Sequence, residues 1–287
     1  MLQALTAIML AVLADGNTPH QRGAELYKQH KYAEAVSALE EASRSEAPSS
    51  AEFKESALLI GQSYFMLSQP AKAIPWLEKI TTSNEANYML GYAYIQNKQY
   101  GESEAAFARL FGVKPDSAEG HLVAAQMLVK KEFEVYAIGE ARKAAEMDPK
   151  LPGAHFLIGE MAIYAGRLEE GLAEMSREIS LNPTFSMAWY RRGDAYTRQE
   201  KWDAAIPDLQ RAVWLNPNFS GPYILLGKCY FKIGNYSNAE GILRRALALD
   251  PRNTSANYLL AQTLIAQNKK EEAKEFLDKV RATKEEH

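Results

Sequence analysis

The chain has 287 residues, 33 basic and 36 acidic, for a formal net charge of −3 without a long block of one sign. So balanced a surface lacks the basic footprint of a nucleic-acid partner. A single cysteine, Cys229, excludes an internal disulfide framework, and its place beside Tyr230 on an expected packing helix reads as a buried small residue rather than a nucleophile.

In chain order, residues 2–13 come first as an uncharged, mostly apolar run, LQALTAIMLAVL, too short to span a bilayer comfortably. The run resembles the apolar core of a secretory signal with Val12-Leu13-Ala14 as its cleavage site, although the basic residues expected at its start are absent. Two readings of residues 1–14 follow. Removal makes the product periplasmic or secreted, which the pattern favours; an apolar helix over the open end of the first repeat leaves it cytoplasmic. Membrane association is expected only if the segment is retained. Thr18-Pro19 then reads as a helix start, a capping residue followed by proline in the opening turn.

From there the chain is periodic. Pro115, Pro149, Pro183, Pro217 and Pro251 stand 34 residues apart, the last four preceded by Asp148, Asn182, Asn216 and Asp250. A column of small residues runs Gly23, Gly61, Gly91, Ala125, Gly159, Gly193, Gly227 and Ala261. A second small column follows it by 12 residues, from Ala35 to Ala273, and four residues further lies a larger apolar one from Leu39 to Leu277. Steps of three and four describe one helical stripe. The first two intervals differ from the rest, Gly23 to Gly61 spanning 38 residues and Gly61 to Gly91 spanning 30. We place the extra residues in the polar link 45–50 and the missing ones near Thr81 to Asn84.

Each period reads as helix, turn, helix. Gly166, Gly234, Asn97 and Asn268 mark the inner turn as residues that tolerate a left-handed backbone. The Asp-Pro or Asn-Pro step ends the second helix, because proline lacks an amide donor and disfavours helical geometry in its predecessor. Ser117, Ser186 and Ser220 stand where they would cap the next helix. The tail from Lys269 to Glu286, rich in Lys and Glu, reads as a solvated cap.

These columns resemble the tetratricopeptide repeat family, most fully at Trp189, Gly193, Tyr196, Ala205, Leu209, Ala212 and Pro217, and next at Tyr223, Leu226, Gly227, Tyr230, Ala239, Leu243, Ala246 and Pro251. The resemblance implies an all-α, right-handed solenoid of stacked antiparallel helix pairs over residues 18–284. Its units are expected at about 18–47, 54–83, 84–117, 118–151, 152–185, 186–219, 220–253 and 254–287. It also implies a concave face lined by the first helix of each unit. On that face fall Tyr88, Tyr92, Ile95, Phe156, Tyr164, Tyr190, Arg198, Lys228, Phe231, Lys232 and Tyr258 as candidate partner-binding residues. Tyrosine among polar groups suits a peptide or protein partner, since it supplies contact area and a hydrogen bond at low entropic cost. The Lys and Asn set with which chaperone-associated relatives grip a terminal carboxylate is not visible in these columns, so binding of that type is not expected.

Glu178 and Arg192 depart from the pattern, each a charge in a packing column, and we expect them to pair across neighbouring units. His121 and His155, one period apart, share the column of Trp189 and Tyr223 and read as packing residues rather than a metal pair. No HExxH, paired-cysteine or phosphate-loop pattern occurs. The expected function is a non-enzymatic adaptor for a protein or peptide, with no cofactor, metal or small-molecule substrate. The alternative is a substrate-recruiting part of a multi-domain enzyme such as a transferase.

Overall fold

The structure is a computed structural model that describes residues 17–129 and 133–285. The apolar run at 1–14 lies outside the described residues. These hold sixteen α-helices and no strand, in two compact units divided after Val129.

The first unit contains α1 (Pro19–Lys28), α2 (Tyr32–Ser43), α3 (Ala51–Met66), α4 (Pro70–Leu77) with a 3-10 turn at Glu78–Ile80, α5 (Asn84–Gln96), α6 (Tyr100–Leu110) and α7 (Ala118–Met127). The second contains α8 (Glu134–Met147), α9 (Ala154–Tyr164), α10 (Leu168–Leu181), α11 (Ser186–Arg198), α12 (Trp202–Leu215), α13 (Ser220–Lys232), α14 (Tyr236–Leu249), α15 (Thr254–Ala266) and α16 (Lys270–Glu285). The polar link 45–50 separates α2 from α3, and the short stretch around Thr81 carries the chain from the 3-10 turn into α5.

Local chemistry sets the helix ends. Thr18 accepts from the Gln21 amide while the Gln21 side chain accepts from the Thr18 amide, a reciprocal cap with Pro19 in the first turn. Ser50, Ser83, Ser117 and Asn253 cap α3, α5, α7 and α15 through their side-chain oxygens. Ser186 and Ser220 do not: they are the first helical residues, preceded by extended Phe185 and Phe219 without a side-chain cap. What closes the proline turn there is the residue three further on. Trp189 donates its indole N–H to the Pro183 carbonyl at 3.0 Å, Tyr223 its hydroxyl to the Pro217 carbonyl at 3.1 Å, and Asn257 its amide to the Pro251 carbonyl at 3.1 Å. His121 and His155 share that column but turn to carboxylates, His121 Nε2 lying 3.5 Å from Asp116 and His155 Nδ1 2.6 Å from Glu174.

The inner turns carry one left-handed residue each, at His30, Ser68, Lys98, Gly166, Glu200, Gly234 and Asn268. At the third turn that residue is Lys98; Asn97, expected in the role, is the helix cap before it. Four of these residues are neither Gly nor Asn, so those hairpins close against an unfavourable backbone preference.

Packing within each hairpin is one device repeated. A Cβ on Gly23, Gly61, Gly193 or Gly227 would collide with Leu39, Leu77, Leu209 or Leu243, the residue 16 positions on, and on Gly91 it would collide with Phe107. Each small residue is thus the seat of a large one, and Leu39, Leu77, Phe107, Leu209 and Leu243 are fully buried. Between hairpins the two walls differ. The backbones of first helices approach that of the next first helix, with Cα atoms within 8 Å, α1 with α3 and α3 with α5 in the first unit, though not α5 with α7, and α9 with α11, α11 with α13 and α13 with α15 in the second. Among the described residues no second helix contacts the next second helix in this way. In each unit, therefore, the first helices form the shorter, inner wall.

The expected Glu178–Arg192 pair does not form. The Glu178 carboxylate is fully buried and accepts from the Gly153 amide at 3.0 and 2.9 Å and from the Phe156 amide at 3.3 Å. Gly153 has no side chain to cap α9, and Glu178 at the far end of the hairpin supplies the missing acceptor. Arg192 instead makes a bidentate pair with buried Asp208, two bonds of 2.7 Å, and donates to Ser176 at 3.1 Å. This pairing holds the Arg192 guanidinium above its ordinary pKa.

Candidate functional site

In the first unit the inner wall brings Tyr88 and Tyr92 together on α5, rings edge to face at 5.0 Å. Tyr92 also packs edge-on to Phe107 at 5.4 Å and donates its hydroxyl to the Met127 carbonyl at 3.3 Å. Its phenol is pushed up by burial and the neighbouring Tyr88. Tyr88, 46 % exposed, is the ring that faces outward. Ile95 is 3 % exposed and offers no surface, contrary to expectation. Its counterpart two units on, Ile163, is buried as well, and a Cβ on Gly171 of the adjoining helix would strike it, so at both positions the side chain turns into its own hairpin.

In the second unit, Phe156 and Tyr190 are half-buried. Phe156 meets Phe185 edge-on at 4.9 Å, and one period later Tyr190 meets Phe219 at 5.0 Å. Both rings join a first helix to the start of the next, and burial pushes the Tyr190 phenol up. Tyr164 and Tyr258 are 60 % and 47 % exposed, and Tyr258 accepts from the Gln262 amide at 2.9 Å. Phe231 packs against Tyr236 at 5.6 Å.

Charge along this wall is arranged in pairs. Arg191 lies with its guanidinium 5.2 Å from the ring centre of Tyr164 and 5.2 Å from that of Tyr190, and it binds Glu160 at 2.7 Å. Arg198 binds Asp194 at 3.0 Å and donates to the Ile163 carbonyl at 3.2 Å. Lys228 sits 5.8 Å from the Trp202 ring centre, and neither it nor exposed Lys232 has a carboxylate within ion-pair distance among the described residues. Arg191 is the residue that the sequence reading passed over. Its column otherwise holds Met89, Val123, Leu157, Leu225 and Leu259, so a lone arginine there was a signal of the same kind as Arg192.

Away from the wall, Cys229 is fully buried 3.7 Å from the Thr197 hydroxyl, and burial pushes its thiol up, away from nucleophilic reactivity. Among the described residues no group of three His, Cys, Asp or Glu side chains is placed to hold a metal ion, and no helix is long and apolar enough to cross a membrane.

Tetratricopeptide repeat models match residues 88–152, 186–219 and 234–287, and the model of anaphase-promoting complex, cyclosome, subunit 3 matches residues 28–110. Comparison with curated proteins finds no match. Among solved structures, MamA from Desulfovibrio magneticus RS-1 is 20 % identical with a TM-score of 0.55, over 60 % of this chain and 97 % of that one. YrrB, described as a TPR protein with an unusual peptide-binding site, is 23 % identical with a TM-score of 0.55, over 64 % of this chain and 95 % of that one. The match to the APC/C hetero-tetramer Cut9-Hcn1 is 16 % identical with a TM-score of 0.52, over 92 % of this chain and 52 % of that one. At these identities the likeness establishes the fold. Together with the repeat models and the columns of glycine, alanine and proline, it makes this chain a member of the tetratricopeptide repeat family.

Proposed function

We propose that the chain is a non-enzymatic scaffold that holds a peptide or protein segment against the inner walls of its helix-pair stacks. The observation that carries this reading is the asymmetry of packing. Among the described residues of each unit the backbones of successive first helices approach each other at every step but α5 to α7 and those of successive second helices do not, so outward-facing Tyr88, Tyr164 and Tyr258 belong to inner walls and not to scattered surface positions. Their neighbours are fixed: Tyr88 rests on Tyr92, Tyr164 is stacked by Arg191, and Tyr258 is hydrogen-bonded by Gln262. Side chains ordered before binding lose little entropy on contact, which favours affinity. The description of YrrB as having a peptide-binding site, and of Cut9-Hcn1 as part of an assembly, is consistent with this use of the fold.

The test separates surface rings from packing rings. The triple substitution Tyr88→Ala, Tyr164→Ala, Tyr258→Ala should leave the far-ultraviolet helical signal unchanged and weaken partner capture in crosslinked pull-downs at least tenfold, since anchors of this type contribute about 2 kcal/mol or more each. Capture equal to wild type would remove the inner wall from the interaction.

A further inference from the structure

The inner wall of the second unit carries a charge that its own fold does not neutralise. One column along its first helices reads Glu160, Asp194, Lys228 and Gln262. The two acids are satisfied within the wall, Glu160 by Arg191 and Asp194 by Arg198. At the next step the sign reverses, and Lys228 is followed one turn later on α13 by Lys232, with no carboxylate within ion-pair distance of either among the described residues. Lys232 stands in the last turn of α13, where a cation offsets the exposed carbonyls. Lys228, mid-helix, has no such role. Two lysines four residues apart repel each other on the helix they share, an arrangement that a bound anion relieves.

Around them the wall is apolar and aromatic: Phe231 between the two lysines, Tyr258 and Ile265 exposed on the neighbouring α15. A free inorganic anion would use the lysines and leave these side chains uncovered. We infer that this part of the wall takes an acidic peptide segment, Asp or Glu side chains meeting Lys228 and Lys232 while an apolar or aromatic residue of the same segment lies on Tyr258 and Ile265. The inference rests on the proposed scaffold function and names the chemistry of its partner. The occupant is distinct from a terminal-carboxylate ligand, because the lysines meet side-chain carboxylates along the segment and no free chain end is needed.

The experiment is selection of a displayed library of random twelve-residue peptides on the full chain, followed by fluorescence anisotropy of the enriched peptides with wild type and with the K228E/K232E variant. The expected pool is rich in Asp and Glu with interspersed aromatic or branched residues. Its affinity should fall at least tenfold in the variant and decline as salt is raised, with helical content unchanged. A pool that is neutral or basic, or one whose affinity the charge reversal leaves intact, overturns the acidic preference while leaving groove binding standing. Failure to enrich any peptide contradicts both the preference and the scaffold reading. If the enriched acidic peptides are lost only on Tyr88→Ala and not on Tyr258→Ala or K228E/K232E, the site lies elsewhere and the assignment to α13 and α15 is wrong.

Discussion

Glu178 does for α9 what Ser117 does for α7. A helix start leaves several amides without partners, and at α9 the preceding residue is Gly153, held at φ 96° with no side-chain oxygen of its own. The carboxylate of Glu178 reaches the Gly153 and Phe156 amides from the end of the paired helix. Glu178→Ala leaves those buried N–H groups unsatisfied and should lower unfolding free energy by about 1–3 kcal/mol in urea titration. Glu178→Gln, which keeps one acceptor oxygen, should lose less. Stability equal to wild type in the alanine variant would show that the amides find other partners. The sequence marked Glu178 and Arg192 correctly as charges in apolar columns but joined them to each other. Column membership shows that a charge needs a partner; it does not show whether that partner is a side chain 16 residues ahead, as Asp208 is for Arg192, or a backbone amide behind it.

At the scale of the helix pair, the repeat was legible because its packing rule is steric. A glycine seats a leucine 16 residues on, and both must recur in phase for the two helices of each hairpin to close on one another. Two substitutions on one hairpin test the rule. Gly227→Ala would place a Cβ 2.5 Å from Leu243 Cγ, and overpacking of this kind costs about 1–3 kcal/mol. Gly241→Ala, on the partner helix α14 with nothing within 4 Å of the new atom, should stabilise by about 1 kcal/mol through helix propensity. Thermal melts moving in opposite directions bear the rule out; a shared direction counts against it. What the period does not carry is exposure. Ile95 and Ile265 share a column, yet the first is 3 % and the second 46 % exposed, because the face a residue occupies follows from spacing while its cover follows from the neighbours. For the same reason Phe156 and Tyr190, expected as contact residues, prove to be largely joints between successive first helices, their partners Phe185 and Phe219 lying in the loops before α11 and α13.

At the scale of the molecule, both units show the same asymmetry among the described residues: the backbones of successive first helices approach, at α1–α3 and α3–α5 in one and α9–α11, α11–α13 and α13–α15 in the other, while those of successive second helices do not. Arg142–Glu170 and Arg244–Glu272 bridge second helices through side chains open or partly open to solvent, and exposed ion pairs contribute about 0–1 kcal/mol. The inner walls are therefore where successive hairpins approach most closely, with aromatic side chains held by neighbours. The proposed binding surface in the second unit is accordingly α9, α11, α13 and α15. Hydrogen–deuterium exchange of the full chain with and without a library-selected peptide tests that assignment most directly. Added protection in α11, α13 and α15 with α10, α12 and α14 unchanged is the expected result; protection confined to the second helices would contradict it.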